Sequence, residues 1–260
     1  MTDQKNRVAF ITGGAQGVGR AVAQRLAEQG FNRLTIMGRN KDTLAEAAAE
    51  LEGLGAEVFC AAADLADPEA TKSAAAQAYE RFGATDVLCN CAGATDRGSI
   101  LDTSIEVFDR IFDTNVRGNF FLIQNILPQM IARKSGVIIN ISSMLAYGGV
   151  PHLAAYSASK GALNTLTRNV ANAVRHDRVR VHAINLGWTL TPAEHSVQTS
   201  VHGMPEDWAE IEGRKQPFGR LLTADDPAAL CCWLASDEAA MMTGTVIDLE
   251  QWVVGTLDAR

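Results

Sequence analysis

Tyr156 and Lys160 stand four residues apart in Tyr156-Ser157-Ala158-Ser159-Lys160, and this is where the chain first offers chemistry. The flanking Ala154, Ala155, Ala162, Leu163 and Leu166 are good helix formers, and no Pro occurs from 152 to 191. In a helix, residues four apart lie one above the other on one face, so the phenol and the ammonium are expected at one small volume. An ammonium there favours the phenolate and is expected to lower a tyrosine pKa of about 10. A tyrosine tuned in this way can exchange a proton with an alcohol oxygen near neutral pH. The same spacing also occurs on solvated helix faces, so the surrounding elements must decide.

Those elements alternate. Arg7-Val8-Ala9-Phe10-Ile11-Thr12 reads as a short buried strand, and the turn Gly13-Gly14-Ala15-Gln16-Gly17-Val18-Gly19 follows at once. A helical pattern covers 20–29 and stops at Gly30; a strand at 34–37, an alanine-rich helix at 42–54 and a strand at 57–62 come next. Pro68 opens a helix reaching about Phe82, and 86–91 is a fourth strand. Ser104 is a cap for one long helix to about Lys134, with Pro128 as its candidate kink. A strand at 137–141, the Tyr156 helix, a strand at 179–186, a helix at 226–236 and a strand at 245–249 complete the pattern. Strictly alternating strands and helices predict an α/β Rossmann-type fold. The expectation is one doubly wound, seven-stranded parallel sheet with helices on both faces, as a single domain over 1–260. Residues 188–217 show no clean period and several Gly and Pro, and are expected to form a substrate loop.

Composition narrows the function classes. The chain has 260 residues, enough for one large core. Its 23 basic and 30 acidic side chains give −7, and no Lys/Arg block occurs, which argues against a nucleic-acid partner. No apolar run is long enough for a membrane span, and the polar start Met1 to Arg7 does not resemble a signal peptide. Cys60, Cys89, Cys91, Cys231 and Cys232 show neither disulfide-framework nor zinc spacing. A cytoplasmic protein with no metal is expected; the adjacent Glu194 and His195 lack a third ligand.

A glycine turn between a first strand and its helix is where a Rossmann fold places a pyrophosphate. Here the spacing is Thr12-Gly13-x-x-x-Gly17-x-Gly19. With this turn, Asn90-Cys91-Ala92-Gly93, Asn115 in Asn115-Val116-Arg117-Gly118, Ser143 thirteen residues before Tyr156, and Tyr156-x-x-x-Lys160, the chain resembles the short-chain dehydrogenase/reductase family over nearly its whole length.

The resemblance implies an NAD(P)-dependent oxidoreductase interconverting an alcohol and a carbonyl compound. It makes Tyr156 the general acid/base and Ser143 the group that holds the substrate oxygen; Ser142 takes that place if the strand ends one residue earlier, because neighbouring strand residues face opposite ways. Lys160 would bind the nicotinamide ribose and lower the tyrosine pKa, and Asn115 would position a water in a proton relay. It also implies cofactor contacts from Thr12, Gly13, Gln16, Gly17, Val18 and Gly19 in the turn, and from Asp64 and Leu65 at the adenine. Asn90, Ala92 and Gly93, then Gly187, Thr189 and Thr191, complete that set.

The second strand ends Met37-Gly38-Arg39-Asn40, with no acid before Asp42. A carboxylate there suits a ribose 2′-hydroxyl and an arginine suits a 2′-phosphate, so Arg39 favours NADP over NAD. Two departures from the family pattern stand out: Leu186-Gly187 replaces Pro-Gly, and Ile247-Asp248-Leu249-Glu250-Gln251 replaces Val-Asp-Gly-Gly. The tail 252–260 is therefore expected to take its own path, towards a neighbouring subunit. Trp188, Glu194, His195, Thr95 and His152 are candidate substrate contacts, and polar groups beside an aromatic wall suit a sugar or polyol. A homotetramer or homodimer is expected, with the 104–134 and 154–176 helices at one interface. The competing class is a catalytically silent nucleotide-binding regulator, against which the Asn115, Ser143, Tyr156 and Lys160 set argues. An extended epimerase or dehydratase of the same superfamily is usually longer.

Overall fold

The computed structural model describes residues 6–256. In chain order the first half contains β1 (Val8–Thr12), α1 (Gly17–Glu28), β2 (Arg33–Gly38), α2 (Lys41–Gly53), β3 (Glu57–Ala62), α3 (Pro68–Phe82) and β4 (Val87–Asn90). Then come α4 (Ile105–Phe112), a π-helical segment (Asp113–Gly118), α5 (Asn119–Arg133), β5 (Gly136–Ser143) and a 3-10 turn (Met144–Tyr147). The second half has α6 (Ala154–Val174), β6 (Val179–Leu186), β7 (Thr189–Leu190), α7 (Pro192–Ser196), α8 (Trp208–Gly213), β8 (Leu222–Thr223), α9 (Asp225–Ala235) and β9 (Val246–Leu249).

Seven strands form one parallel sheet in the order β3-β2-β1-β4-β5-β6-β9, and β7 and β8 pair separately. The seven-stranded doubly wound sheet is the one expected. Its central strands are buried on both faces because successive side chains point opposite ways. Ala9, Ile11, Leu34, Ile36, Val87 and Cys89 pack under α1, α2 and α9. Phe10, Met37, Leu88, Ile138 and Val181 face α3, α5 and α6. Each such aliphatic or aromatic side chain stabilises the fold by roughly 1.5–3 kcal/mol on burial. The order reverses between β1 and β4, so their carboxyl ends open a crevice there.

Several boundaries differ from the sequence reading. α1 begins at Gly17, inside the glycine turn, and not at Arg20. The long helix expected from Ser104 is broken at Asp113–Gly118, and Pro128 lies inside α5 without ending it. The break sits where the segment bonds chain distant in sequence. The Asn115 side chain accepts from Ala94 N–H (2.8 Å) and donates to Ala94 C=O (2.9 Å), which ties the segment to the loop after β4. Gly118 lets the same segment approach the loop after β3, since a Cβ there would stand 2.7 Å from Leu65 Cγ. Residues 188–217 are largely short helices, with a second π-helical segment at Val197–Val201. At the start of the tail Trp252 Nε1 donates to Gln216 Oε1 (2.8 Å), which ties it to the end of the 188–217 segment. Residues 1–5 and 257–260, which include the ends of the polar start and of the tail, lie outside the described residues.

Candidate active site

One cleft of about 1500 Å³ runs across the carboxyl ends of the strands, from Arg39 to Met204. Its floor near β1 is the glycine turn. Gly13 and Gly17 adopt positive φ (+67° and +52°), which L side chains rarely do. A Cβ on Gly13 would meet Ala92 N at 3.1 Å, and one on Gly19 would sit 2.6 Å from the Gly13 carbonyl carbon. Gln16, the N-cap of α1, makes no side-chain bond to the first turn, so amides of that turn are left for an incoming anion. Thr12 Oγ1 accepts from Cys91 N–H (3.0 Å) and Ala92 N–H (3.1 Å), fixing the end of β4 against this turn. A dinucleotide pyrophosphate fits this cradle, where any larger residue would obstruct it.

Arg39, Asp64 and Leu65 line the cleft at one end; Ala92 and Gly93 line its middle. Arg39 is exposed and, among the described residues, has no ion pair or side-chain hydrogen bond. Gly187, Thr189 and Thr191 lie along the far wall. Gly187 N–H donates to Leu249 C=O (3.0 Å), so the sheet ladder holds this backbone although Leu186 stands where the family has Pro. The carboxylate of Glu250 lies against Gly187, leaving no room for a Cβ there, and lines the cleft too.

Ser143, Tyr156 and Lys160 meet at the middle of the cleft. Ser143 is the last residue of β5; its Oγ accepts from Leu145 N–H (3.1 Å), and its hydroxyl faces the Tyr156 phenol. Ser142 points the other way and donates to Lys160 C=O (3.2 Å) beneath the helix. Lys160 is 3% exposed; its Nζ donates to Ile141 C=O (2.7 Å) and lies 5.6 Å from the Tyr156 ring centroid. Burial pushes the lysine pKa down from 10.5 to about 8.

The tyrosine behaves differently from the simple pairing argument. Burial raises the Tyr156 pKa above its ordinary value; hydrogen bonding to Ser143 pulls it down, Glu194 pushes it up and Arg97 pulls it down. The phenol is thus raised, not lowered as the Tyr156–Lys160 spacing led one to expect, and the Lys160 ammonium is turned to the Ile141 carbonyl.

Other expected residues divide. Thr95, His152, Trp188 and Glu194 line the cleft. His195 does not: its Nε2 meets Glu206 Oε2 (3.1 Å) and its Nδ1 accepts from Trp208 Nε1 (3.1 Å). Asn90 is buried behind the cleft, donating to Asn140 Oδ1 (2.8 Å). Asn115 is fully buried and, besides Ala94, donates to Ser159 Oγ (3.0 Å), so it ties the loop after β4 to α6. Arg97, Gln198 and Glu250 line the cleft without having been singled out in the sequence. They carry no spacing signal, although Arg97 lies only four residues past Gly93. Among the described residues no group of three His, Cys, Asp or Glu side chains could hold a metal, and no helix is long and apolar enough to cross a membrane.

The doubly wound sheet carries a glycine cradle and the Ser143, Tyr156 and Lys160 cluster along one cleft, an arrangement suited to a nicotinamide-dependent oxidoreductase. The short chain dehydrogenase family model matches residues 7–201, and the chain belongs to that family. It is 34% identical over 242 residues to an uncharacterised oxidoreductase of Thermotoga maritima, covering 93% of each chain. A 3-oxoacyl-(acyl-carrier-protein) reductase of Staphylococcus epidermidis is 31% identical over 93% of this chain and 96% of its own. Among solved structures, L-sorbose reductase from Gluconobacter frateurii, complexed with NADPH and L-sorbose, superposes with a TM-score of 0.92 at 27% identity, over 98% of this chain and 100% of its own. NAD+-bound xylitol dehydrogenase gives 0.88 at 27% identity, over 96% and 100%. The protein is thus an NAD(P)-dependent oxidoreductase of the alcohol–ketone type.

Proposed function

We propose that the protein interconverts a secondary alcohol and a ketone with NADP(H), Tyr156 serving as general acid/base. The observation that carries this reading is the meeting of Tyr156 and Ser143 in the cleft directly above the buried Lys160. A bound nicotinamide supplies or accepts the hydride. The protein's own part is to hold the reacting oxygen and move its proton. Ser143, whose Oγ accepts from Leu145 and whose hydroxyl faces Tyr156, turns its hydroxyl hydrogen from the phenol to that oxygen when substrate binds. In reduction the Tyr156 hydroxyl gives up its proton to the same oxygen; in oxidation the phenolate takes it back. Lys160 uses one N–H on Ile141 C=O, and its remaining N–H groups are the donors for the ribose hydroxyls. Asn115 positions the site by pinning Ala94 to α6.

The unpaired Arg39 at the end of β2 supports NADP over NAD. The neighbouring Asn40 caps α2 through Asp42 N–H (2.8 Å), so its side chain is committed to the helix and Arg39 is the cation that lines the cleft at the end of β2. Thr95, His152, Trp188 and Glu194 support a polyhydroxylated substrate, as do the sugar and polyol named for two structural neighbours. The free thiols support a reducing, cytoplasmic compartment, and the exposed Ile105, Phe108 and Phe120 on α4 and α5 support a homotetramer or homodimer.

The Tyr156→Phe variant tests the central assignment. Turnover is expected to fall by roughly 10²–10⁴ while nucleotide binding persists. A variant as active as the parent overturns the assignment. Fluorescence titration of the parent with NADPH and NADH is expected to show NADPH bound roughly ten- to a hundredfold more tightly, as for a hydrogen bond between charged groups. Tighter NADH binding overturns the Arg39 reading.

A further inference from the structure

Arg97 is a cation in the cleft with no ion-pair partner among the described residues. Its Nη1 donates to Thr95 C=O (3.0 Å), while its Nε is buried with no partner. The two acids on its own loop are committed elsewhere: Asp96 pairs with Arg110 (2.7 Å), and Asp102 accepts from Ser99 N–H (2.5 Å) and Oγ (2.7 Å). A partly buried guanidinium without a counter-ion is costly, and the cost is offset when a ligand brings the anion.

The loop that carries Arg97 is fixed to the catalytic helix. Gly98 N–H donates to His152 C=O (2.9 Å), and Ala154 N–H donates back to Gly98 C=O (3.2 Å). Arg97 is thereby stapled two residues ahead of Tyr156. Across the cleft, Glu194 Oε1 accepts from Trp188 Nε1 (2.9 Å) and Gln198 Nε2 (2.8 Å), which leaves Oε2 for a ligand. Its support is rigid, for Trp188 stacks on the fully buried Trp208 (5.4 Å between centroids). Both charges act on the Tyr156 phenol, in opposite senses, so both lie at the reacting end of the cleft and not at the adenine end.

We propose that the substrate is a polyhydroxylated alcohol or ketone bearing an anionic group, a carboxylate or a phosphate ester, which pairs with Arg97 while one of its hydroxyls donates to Glu194 Oε2. This rests on the reading of Tyr156 as the acid/base at that end. A neutral sugar would satisfy Glu194 but leave the guanidinium uncompensated; the anion satisfies both walls.

The test is steady-state oxidation with NADP+ and NAD+ of a sugar acid (D-gluconate), a sugar phosphate (sorbitol phosphate) and the neutral parent (D-sorbitol). It uses the full chain and its Arg97→Gln, Arg97→Lys and Tyr156→Phe variants. At least one anionic compound is expected to exceed the neutral one about tenfold or more in kcat/KM, the size of a charge-assisted bond. Arg97→Gln is expected to erase that advantage mainly through KM, and Arg97→Lys to restore part of it; NADPH affinity by fluorescence shows that the variants are folded. Preference for the acid identifies a carboxylate, and preference for the phosphate identifies the ester. Equal or better turnover of the neutral parent overturns the proposal and leaves the oxidoreductase reading intact. An advantage that survives Arg97→Gln overturns it as well. Full activity in Tyr156→Phe instead overturns the reading on which it rests.

Discussion

Replacing Lys160 by Met should make the nucleotide-free protein more stable while abolishing its catalytic use. The ammonium is 3% exposed, and burial holds its pKa at about 8 against 10.5 in the unfolded chain. Keeping it charged at pH 7 therefore costs about 3 kcal/mol of folding free energy. Met keeps a flexible apolar stem of similar length but loses the charge-assisted bond to Ile141 C=O, worth about 2 kcal/mol. A net gain of about 1 kcal/mol is expected at pH 7.

The pH dependence gives the sharper check. Between pH 8 and 10.5 the unfolded chain binds the proton and the folded chain does not, so the parent gains stability from this group as pH rises through that window. Below pH 8 the penalty is complete. The advantage of Lys160→Met should therefore be constant from pH 6 to 7.5 and shrink steadily towards pH 10, by about 1.4 kcal/mol per pH unit at its steepest. Urea unfolding of parent and variant at matched pH measures it directly. A variant less stable at pH 7, or a difference that does not change up to pH 10, would refute the argument that the lysine is held charged against its burial.

Two other substitutions follow from the same geometry. Glu194→Gln keeps the acceptor for Trp188 and Gln198 but removes the charge that pushes the Tyr156 pKa up, so the rising limb of the oxidation pH–rate profile should move to lower pH; an unmoved or raised limb counts against the placement of Glu194. Gly19→Ala puts a Cβ 2.6 Å from the Gly13 carbonyl carbon, so the turn must shift, with a loss of about 1–3 kcal/mol in stability and weaker NADPH binding; unchanged values in thermal unfolding and fluorescence titration would contradict the cradle geometry.

The order of strands and helices was legible because each strand of the sheet core is a short apolar run and each helix has its own stop signal; Gly30, Gly83 and Pro68 mark such boundaries. The pairing of Tyr156 with Lys160 was legible from helical spacing, which decides the face a side chain takes, whereas Ser143 was singled out by the family resemblance. Asn115 was found by its motif, but the π-helical break that it anchors was hidden, because that break depends on Ala94 and Ser159, which are distant in sequence.

Electrostatics belongs to the folded chain. Sequence spacing put an ammonium near a phenol; tertiary structure turned it to the Ile141 carbonyl and left burial, Ser143, Glu194 and Arg97 to govern Tyr156. His195 and Glu194 are neighbours in sequence, yet packing against Trp208 turned one away from the cleft and kept the other in it. By itself the sequence determined the sheet and the glycine cradle, since these follow from local periodicity and motif spacing, and it put Tyr156 and Lys160 on one helix face. Only tertiary structure decided which charges face the reacting oxygen, because charge, burial and hydrogen-bond partners there come from chain segments that meet only on folding.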